Sequence, residues 1–219
     1  MSKIKPSIHY HITVEGEDEQ WYFDHLKEII NNCEDSKLKI DMKPKVEKSP
    51  WKYVKTRTFL FKEVAFHIYD YESNDDIHKK QFENILNEIK VSKKEKNVTI
   101  KLGYTNFTFE LWMILHKEDC NTKFSFRTQY LDAINKNYNT NFQFLKEYKK
   151  EKNFKRILER IELSDIINAI NRAKQIKENN KNNNCERNEY KGFEYYIENP
   201  DLTVHLIIEK ILKDCKIIK

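Results

Sequence analysis

Glycine is scarce in this sequence. Only three glycines are present among 219 residues, Gly16, Gly103 and Gly192, whereas an ordinary usage of about 7% gives roughly fifteen. The glycine-rich motifs of common enzyme classes are therefore absent: the dinucleotide fingerprint G-x-G-x-x-G, the phosphate loop G-x-x-x-x-G-K-[ST] and the nucleophile elbow G-x-S-x-G. If this protein handles phosphate groups, it does so by other means.

Disulfide, zinc and membrane signals are also missing. The four cysteines are widely spaced and never form C-x-x-C, which indicates reduced thiols rather than a zinc site or a disulfide framework. The longest purely apolar run, residues 111–115, is far too short to span a bilayer. No apolar stretch follows Lys3 and Lys5, so a signal peptide is not expected. We therefore expect a soluble, cytoplasmic protein without membrane association.

The charge balance is mildly basic. The chain has 40 Lys and Arg residues against 35 Asp and Glu residues, a net charge of +5. This excess is compatible with binding to nucleic acid, but it fits a lysine-rich solvated surface equally well. Hydrophobic residues make up 39% and aromatic residues 13% of the chain, which is enough to build a core.

Strands and helices alternate in the first half of the sequence. Alternating, β-branched residues predict a strand over 7–14 and a second one over 38–46, and a short apolar run predicts a buried strand over 63–69. Helical spacing predicts helices that follow Gly16, cover residues 76–91 and cover 107–116, with a strand over 98–102 that Gly103 closes. This order predicts an α/β fold with a mostly parallel sheet flanked by helices.

The second half reads as a succession of helices. Apolar spacing predicts helices near residues 129–138, 153–163, 164–178 and 202–215. The polar, asparagine-rich stretch 179–189 has no apolar anchors and predicts a mobile loop. We therefore expect an α/β core over residues 1–117 and a mainly helical C-terminal region over 118–219 that packs on the core.

Acidic residues follow two of the predicted parallel strands. Glu15 and Glu17 stand after the first strand, and Asp70 and Glu72 end the central one, followed by the pair Asp75–Asp76. Ligands bind at the carboxyl edge of an open parallel sheet. Asp70 and Glu72, two residues apart, point the same way in an extended segment and can share one hard cation, Mg²⁺ or Mn²⁺. The alternative is that Asp70 is a turn residue; for the pair 75–76, a role in capping the next helix is favoured.

Glu110 is a further candidate acid. On the predicted helix 107–116 it shares a face with apolar residues, and a carboxylate in such surroundings is costly unless it is paired or coordinated. It can pair with a lysine or arginine as a purely structural contact, or it can reach the acidic residues at the strand ends. The sequence leaves both open.

Six segments, in conserved order, together resemble one family. They are V-E-G-E at 14–17 with Glu19, Tyr22 and Phe23; D-Y-E at 70–72; T-N-F-T-F-E-L-W-M-I-L-H at 105–116; Y-K-K at 148–150; the stretch Ala169 to Ala173; and N-P-D-L-T-V-H at 199–205. This set resembles the motifs of RloB-like proteins, a branch of the Toprim nucleases. Two positions depart from the pattern: Glu72 replaces a second aspartate, and Phe107 replaces a proline.

The resemblance implies a Toprim-like α/β core, dependence on Mg²⁺ or Mn²⁺, and phosphodiester cleavage in phage defence. It implies that Glu15 is the acid/base residue, that Glu15, Asp70 and Glu72 are the metal ligands, and that Glu110 and Glu19 support them. Systems of this type pair such a protein with an ABC-type ATPase, and some relatives cut tRNA. The substrate implied is therefore RNA, tRNA among the candidates, or DNA, cut upon an infection or partner signal.

Nucleic-acid contacts can also be suggested. Four residues within the family motifs are candidates: Lys149, Lys150, His116 and His205. The basic runs 93–101 and 146–156 can follow a phosphate backbone, although solvated lysines are the simpler interpretation. A different reading of the whole chain is a non-catalytic, Toprim-like nucleic-acid-binding or regulatory subunit of an ATPase-containing defence complex, which the aspartate-to-glutamate change at position 72 favours.

Overall fold

A computed structural model describes residues 5–198 and 200–219. The first half alternates strands and helices in the order β1 (Ser7–Val14), α1 (Glu17–Asn32), β2 (Lys39–Met42), β3 (Lys45–Val46), α2 (Pro50–Lys55), β4 (Glu63–Tyr71), α3 (Asp76–Glu95) and β5 (Val98–Asn106). The predicted strand 38–46 is thus two short strands, interrupted before Pro44, which has no N–H to donate to a ladder.

The second half is mostly helical. It contains α4 (Glu110–Leu115), a 3₁₀ turn (Arg127–Gln129), α5 (Tyr130–Tyr138), α6 (Leu145–Tyr148), α7 (Glu151–Leu158), α8 (Leu163–Asn182), β6 (Arg187–Tyr190), β7 (Phe193–Tyr196), β8 (Asp201–Leu202) and α9 (Val204–Asp214). Asn199, the first residue of the predicted terminal motif, lies outside the described residues. None of the helices in the described ranges combines the length and apolarity that crossing a membrane requires.

The main sheet is mostly parallel. In the described chain its strand order is β2-β1-β4-β5-β8, with β3 pairing with the end of β1. Strands β1, β2, β3, β4 and β5 run parallel, and only β8 pairs antiparallel, at the β5 edge. This is the predicted α/β class, a mostly parallel sheet flanked by helices with a helical C-terminal extension, and it is consistent with a Toprim-like fold.

Two apolar cores cover the two faces of the sheet. One joins the inward residues of β1 and β4, among them Ile12 and Phe66, to helices α1, α4 and those of the second half. The other joins the opposite face, including Tyr69 and Tyr104, to α2, α3 and Tyr195 of the hairpin. Because the first core contains residues from both halves of the chain, the C-terminal helices pack directly on the α/β core. The boundary at residue 117 stays a prediction.

Residues 179–189 do not form the predicted loop. Helix α8 continues to Asn182, and β6 and β7 form an antiparallel hairpin. The hairpin turns at Lys191 and Gly192, both with positive φ (51° and 85°), as tight hairpin turns require. Tyr195 packs edge-on against Phe82 of α3, with ring centroids 5.1 Å apart. This tertiary contact anchors a hairpin that the polar sequence before it does not predict.

The prediction that Gly103 closes its strand is wrong, because Gly103 lies inside β5. A Cβ atom there would stand 2.7 Å from Cδ1 of Ile207 and 3.1 Å from Cα of Val204. Glycine therefore lets α9 approach the sheet closely. The strand continues to Asn106, and the following helix α4 begins at Glu110 rather than at the predicted residue 107.

Candidate active site

The ends of β1 and β4 bring Glu15 and Asp70 together. The two strands are parallel neighbours, so their carboxyl ends reach the same edge of the sheet. The backbone N–H of Asp70 donates to Oε2 of Glu15 over 3.1 Å. The juxtaposition that the sequence predicts at this edge is therefore present for these two acids.

The carboxyl group of Asp70 is buried and half satisfied. The residue is only 4% exposed. Its Oδ2 accepts a hydrogen bond from the backbone N–H of Phe109 over 3.1 Å, whereas Oδ1 has no hydrogen-bond partner among the described residues. Burial raises the pKa of Asp70 well above its ordinary value, and the nearby charges of Glu15 and Glu110 raise it further. The ionised form of Asp70 is thus destabilised by its surroundings, and a bound cation would stabilise it.

Glu110 makes the structural ion pair that the sequence left open, and its charge also acts on Asp70. It is the first residue of α4 and 1% exposed. Its Oε1 lies 2.9 Å from Nζ of Lys149, and its Oε2 accepts a hydrogen bond from the hydroxyl of Thr108. Its charge also contributes to the raised pKa of Asp70. Glu110 is therefore both ion-paired and part of the acidic cluster.

Lys149 joins this cluster from the second half of the chain. It lies directly after α6, and its Nζ is 2.7 Å from Oδ2 of Asp18 as well as 2.9 Å from Glu110. Burial lowers the pKa of Lys149, but the carboxylates of Glu110, Asp18 and Glu19 outweigh it and hold that pKa above the ordinary value. The predicted nucleic-acid contact is thus an ammonium that already neutralises two acids.

Glu19 is a second buried acid beside the site. Its Oε2 accepts from the backbone N–H of Gly16 over 2.8 Å, which caps the start of α1. Burial raises the pKa of Glu19 well above its ordinary value, and the charges of Asp18 and Asp70 add to the rise. The supporting role that the resemblance implies for Glu19 stays a prediction.

Glu72 has a different environment from Asp70. Its Oε1 lies 2.7 Å from Nη1 of Arg127, and its Oε2 lies 3.2 Å from Nε2 of His78. His78 also contacts Asp75, the N-cap of α3 as expected. Both oxygens of Glu72 are therefore engaged by cationic or titratable groups, and no contact with Asp70 is present among the described residues. The idea that the two acids share one ion stays a prediction.

Arg127 was missed by sequence reasoning. Burial lowers the pKa of its guanidinium, yet the charges of Asp70, Glu72, Glu110 and Glu15 together raise it. The charge of Arg127 is therefore felt by all four predicted catalytic acids, and its guanidinium contacts Glu72 directly. Arg127 starts a 3₁₀ turn in a stretch without a recognisable motif. Its positive charge is the one feature of the sequence that could have indicated a role near the acids.

Lys48 lies at the rim of the site. Its Nζ is 3.0 Å from Oε1 of Glu15, and its side chain is 69% exposed. The hydrogen bond to Glu15 raises the pKa of Lys48. A cavity of about 410 Å³ opens beside Glu72, lined by His78 and Arg127 and by the exposed ring of Phe126. The acids are therefore reached from a surface that carries cations.

The remaining predicted contacts lie elsewhere. His116 is 1% exposed, and its Nε2 lies 3.1 Å from the hydroxyl of Tyr22. Burial lowers the pKa of His116 to about 4 and does the same for the buried His205. Both are neutral core residues at pH 7. Lys150 is exposed and precedes α7.

The candidate ligands are carboxylate oxygens, which Mg²⁺ and Mn²⁺ bind. Across residues 5–198 and 200–219, no three His, Cys, Asp or Glu side chains are grouped closely enough to hold a metal ion. Mg²⁺ usually keeps several waters and takes only one or two protein carboxylates together with substrate phosphates. Glu15 and Asp70, with the unpartnered Oδ1 of Asp70, fit that smaller requirement. Glu72 would have to leave Arg127 and His78 to join them.

Comparison with known proteins identifies a family. A family model described as RloB-like protein matches residues 10–211, nearly the whole chain. No curated protein and no solved structure matches the chain.

Proposed function

Because the chain belongs to the RloB-like family, we propose that it is a metal-dependent endonuclease that cleaves phosphodiester bonds of RNA or DNA. The observation that carries this proposal is the carboxyl group of Asp70. It is buried at the carboxyl edge of the sheet, stands against Glu15, and has an oxygen without a partner among the described residues. A buried acid of this kind at a ligand-binding edge is typical of a functional site.

Glu15 and Asp70 would hold the Mg²⁺ or Mn²⁺ ion. When bound, such an ion polarises a phosphoryl oxygen and stabilises the leaving oxygen. The side chain of Glu15 is 11% exposed at the rim, where it can accept a proton from an attacking hydroxyl or water. Asp70 is fixed by the N–H of Phe109, so its free oxygen is pre-oriented.

The cations around the acids have a role of their own in this proposal. Arg127 and Lys48 approach the site from two sides, and a phosphate that entered would exchange their carboxylate partners for its own oxygens. Lys149 pairs with Glu110 and Asp18, both buried. These cations thus reduce the electrostatic repulsion between the acids and an anionic substrate.

The biological setting follows from the family alone. We propose that cleavage serves antiviral defence and is activated by an infection signal or by a partner, such as an ABC-type ATPase encoded nearby. RNA, including tRNA, is the first substrate to test, and DNA is the second. These points stand on the resemblance of the motifs and not on a contact in the molecule.

A second candidate function is a non-catalytic, nucleic-acid-binding or regulatory subunit. It is favoured by the engagement of both oxygens of Glu72 with Arg127 and His78. It is favoured too by the lack of a group of three metal-ligating side chains in the described ranges. Under this alternative, the acids stabilise the sheet edge and contact a partner.

The test compares cleavage by the wild type, Glu15→Gln and Asp70→Asn. Purified protein, alone and with the neighbouring ATPase if one is encoded, is incubated with labelled tRNA and single-stranded DNA in Mn²⁺ or Mg²⁺. Each substitution is expected to lower the cleavage rate at least about 100-fold. Glu17→Gln is the matched control, since Glu17 is an exposed acid two residues from Glu15, and it should cleave normally.

Two results would contradict the proposal. One is wild-type cleavage by Asp70→Asn. The other is a wild-type protein that binds nucleic acid but neither cleaves it nor binds Mn²⁺ at millimolar concentration in calorimetry, which would favour the non-catalytic alternative.

A further inference from the structure

One connection of the chain has a large excess of positive charge. Residues 33–62, which join α1 to β4, contain nine Lys or Arg residues and four Asp or Glu residues. The excess of five equals the net charge of +5 of the whole chain. The charges of the rest of the chain cancel in sum, so this connection is one of the segments, with the basic run 146–156, that attract an anionic partner.

Strand β3 directs this charge toward the candidate active site. Lys45 lies opposite Thr13 and Val46 opposite Val14 in the parallel ladder with β1, so the connection runs beside β1 up to Glu15. Lys48, two residues after β3, contacts Glu15 at 3.0 Å. Lys43, Lys45 and Lys48 thus form a row, here named the β3 basic row, that ends at the acids.

A cavity of about 400 Å³ opens beside the same row. Its walls include His9 and His11 of β1, Lys43 and Lys45 of the row, and Tyr53 and Arg57. The guanidinium of Arg57 lies over the Tyr53 ring, 3.7 Å from its centroid. Rings and cations thus line one concavity, and its volume lies within the range of small-ligand pockets.

The cations of the row differ in their pairing. Lys48 and Lys52 contact Glu15 and Glu47. Lys43 and Lys45 are exposed and form no ion pair with any residue that the structure describes. Their charges are not neutralised within the described protein, so they are available to phosphate groups.

We propose that the β3 basic row and its cavity bind the backbone of a single-stranded nucleic acid and lead it to Glu15. The inference rests on the proposed function, of which it names the substrate-binding surface. A single strand fits because its unpaired bases can enter a cavity lined by rings, whereas a duplex offers such a cavity only paired bases behind its phosphates. Phe61, 77% exposed in the same connection, is a further ring on which a base can stack.

The test measures binding without cleavage. Fluorescence anisotropy follows a labelled single-stranded 20-nucleotide RNA or DNA in EDTA, with the double variant Lys43→Ala/Lys45→Ala. Loss of one phosphate contact makes the negative slope of log K against log salt shallower by about 0.7 for single strands. The double variant should therefore have a slope smaller by about 1.4 and, at 0.1 M salt, an affinity lower by about 20-fold.

The matched control is Lys181→Ala/Lys219→Ala. Lys181, in the last turn of α8, and Lys219 are exposed and form no ion pair with the described residues, so the variant removes the same charge from outside the basic runs and the β3 basic row. It should bind within about 3-fold of the wild type. Far-ultraviolet circular dichroism and thermal melting verify that both variants fold.

Three outcomes would overturn the inference: wild-type protein that does not bind single strands, unchanged binding by Lys43→Ala/Lys45→Ala, or an equal loss in the control. A preference for duplex over single strands would overturn the choice of ligand. Failure of the proposed function looks different, because a wild type that binds through this row but does not cleave with Mg²⁺ or Mn²⁺ leaves the binding surface intact and refutes only the nuclease.

Discussion

The Nζ atom of Lys149 lies 2.9 Å from Oε1 of Glu110, and this contact joins two distant parts of the chain. Glu110 begins α4, next to the sheet edge, and Lys149 follows α6 in the C-terminal half. The ammonium also contacts Asp18 at 2.7 Å. The second half of the chain therefore contributes a charge on which the acids at the sheet edge depend.

Removing this ammonium should destabilise the fold. Lys149→Met leaves two buried carboxylates without their partner, and loss of one member of a buried ion pair costs about 3 to 5 kcal/mol. We expect a drop of about that size in the free energy of unfolding, measured with urea. Lys146→Met, an exposed lysine on the same helix, should change it by less than about 0.5 kcal/mol. Equal stability of the two variants would contradict the pairing.

Asp70 should make stability depend on pH. Its pKa is raised in the folded state above the ordinary 3.8, so the folded protein binds this proton more tightly than the unfolded chain does. Ionisation therefore destabilises the fold, and the unfolding free energy should fall as pH rises through the folded pKa. Asp70→Asn mimics the protonated form and should be more stable than the wild type at pH 7.5, by roughly 0.5 to 2 kcal/mol.

This difference should shrink as the pH falls and vanish below about pH 4, where the wild-type carboxyl is protonated in both states. Urea denaturation of the two proteins between pH 4 and 8 measures it. A constant difference over that range, or a less stable Asp70→Asn at pH 7.5, would show that the carboxyl is not strained by its surroundings.

Lys48 should compete with a metal ion for Glu15. Its ammonium occupies Oε1 of Glu15 from a largely exposed position, and such exposed pairs contribute about 0.2 to 1 kcal/mol. Lys48→Met should therefore bind Mn²⁺ tighter by about 2- to 5-fold in calorimetry. Lys52→Met is the control, because Lys52 makes a similar exposed pair with Glu47. Weaker binding by Lys48→Met would argue against Glu15 as a ligand.

A side chain at position 103 should destabilise the fold unless α9 moves away from β5. Gly103→Ala places a methyl group 2.7 Å from Cδ1 of Ile207, and such overpacking costs about 1 to 3 kcal/mol. Ile207→Val removes that atom and alone should cost about 0.5 to 1.5 kcal/mol. The double variant should lose less stability than the two single losses combined, as thermal denaturation can measure. Strict additivity would contradict the close packing of α9 on β5.

The sequence was most informative where local pattern and burial agree. The alternation of residues 7–14 gave the full extent of β1, because one face of that strand is buried and the period of two is enforced by packing. The acids after β1 and within the end of β4 were found for a related reason. The carboxyl ends of adjacent parallel strands must meet, so Glu15 and Asp70 come together once the strands are recognised.

The sequence was least informative where distant contacts override local preference. Residues 179–189 have the composition of a loop, yet α8 continues to Asn182 and the side chain of Asn180 donates to the carbonyl of Pro200 at 2.9 Å. Gly103 has the local character of a strand end, but the approach of α9 decides its place inside β5. Neither contact can be recognised from the residues that are adjacent in sequence.

By itself, the sequence determined the α/β class, the parallel strands, the family motifs and the edge at which the acids gather, because these follow from periodicity and from the order of elements. Only the tertiary structure decided which cations contact those acids. Arg127, Lys149 and Lys48 come from three separate segments to contact them. Electrostatic energy depends on distances across space and on burial, and neither quantity is encoded in the spacing of residues along the chain.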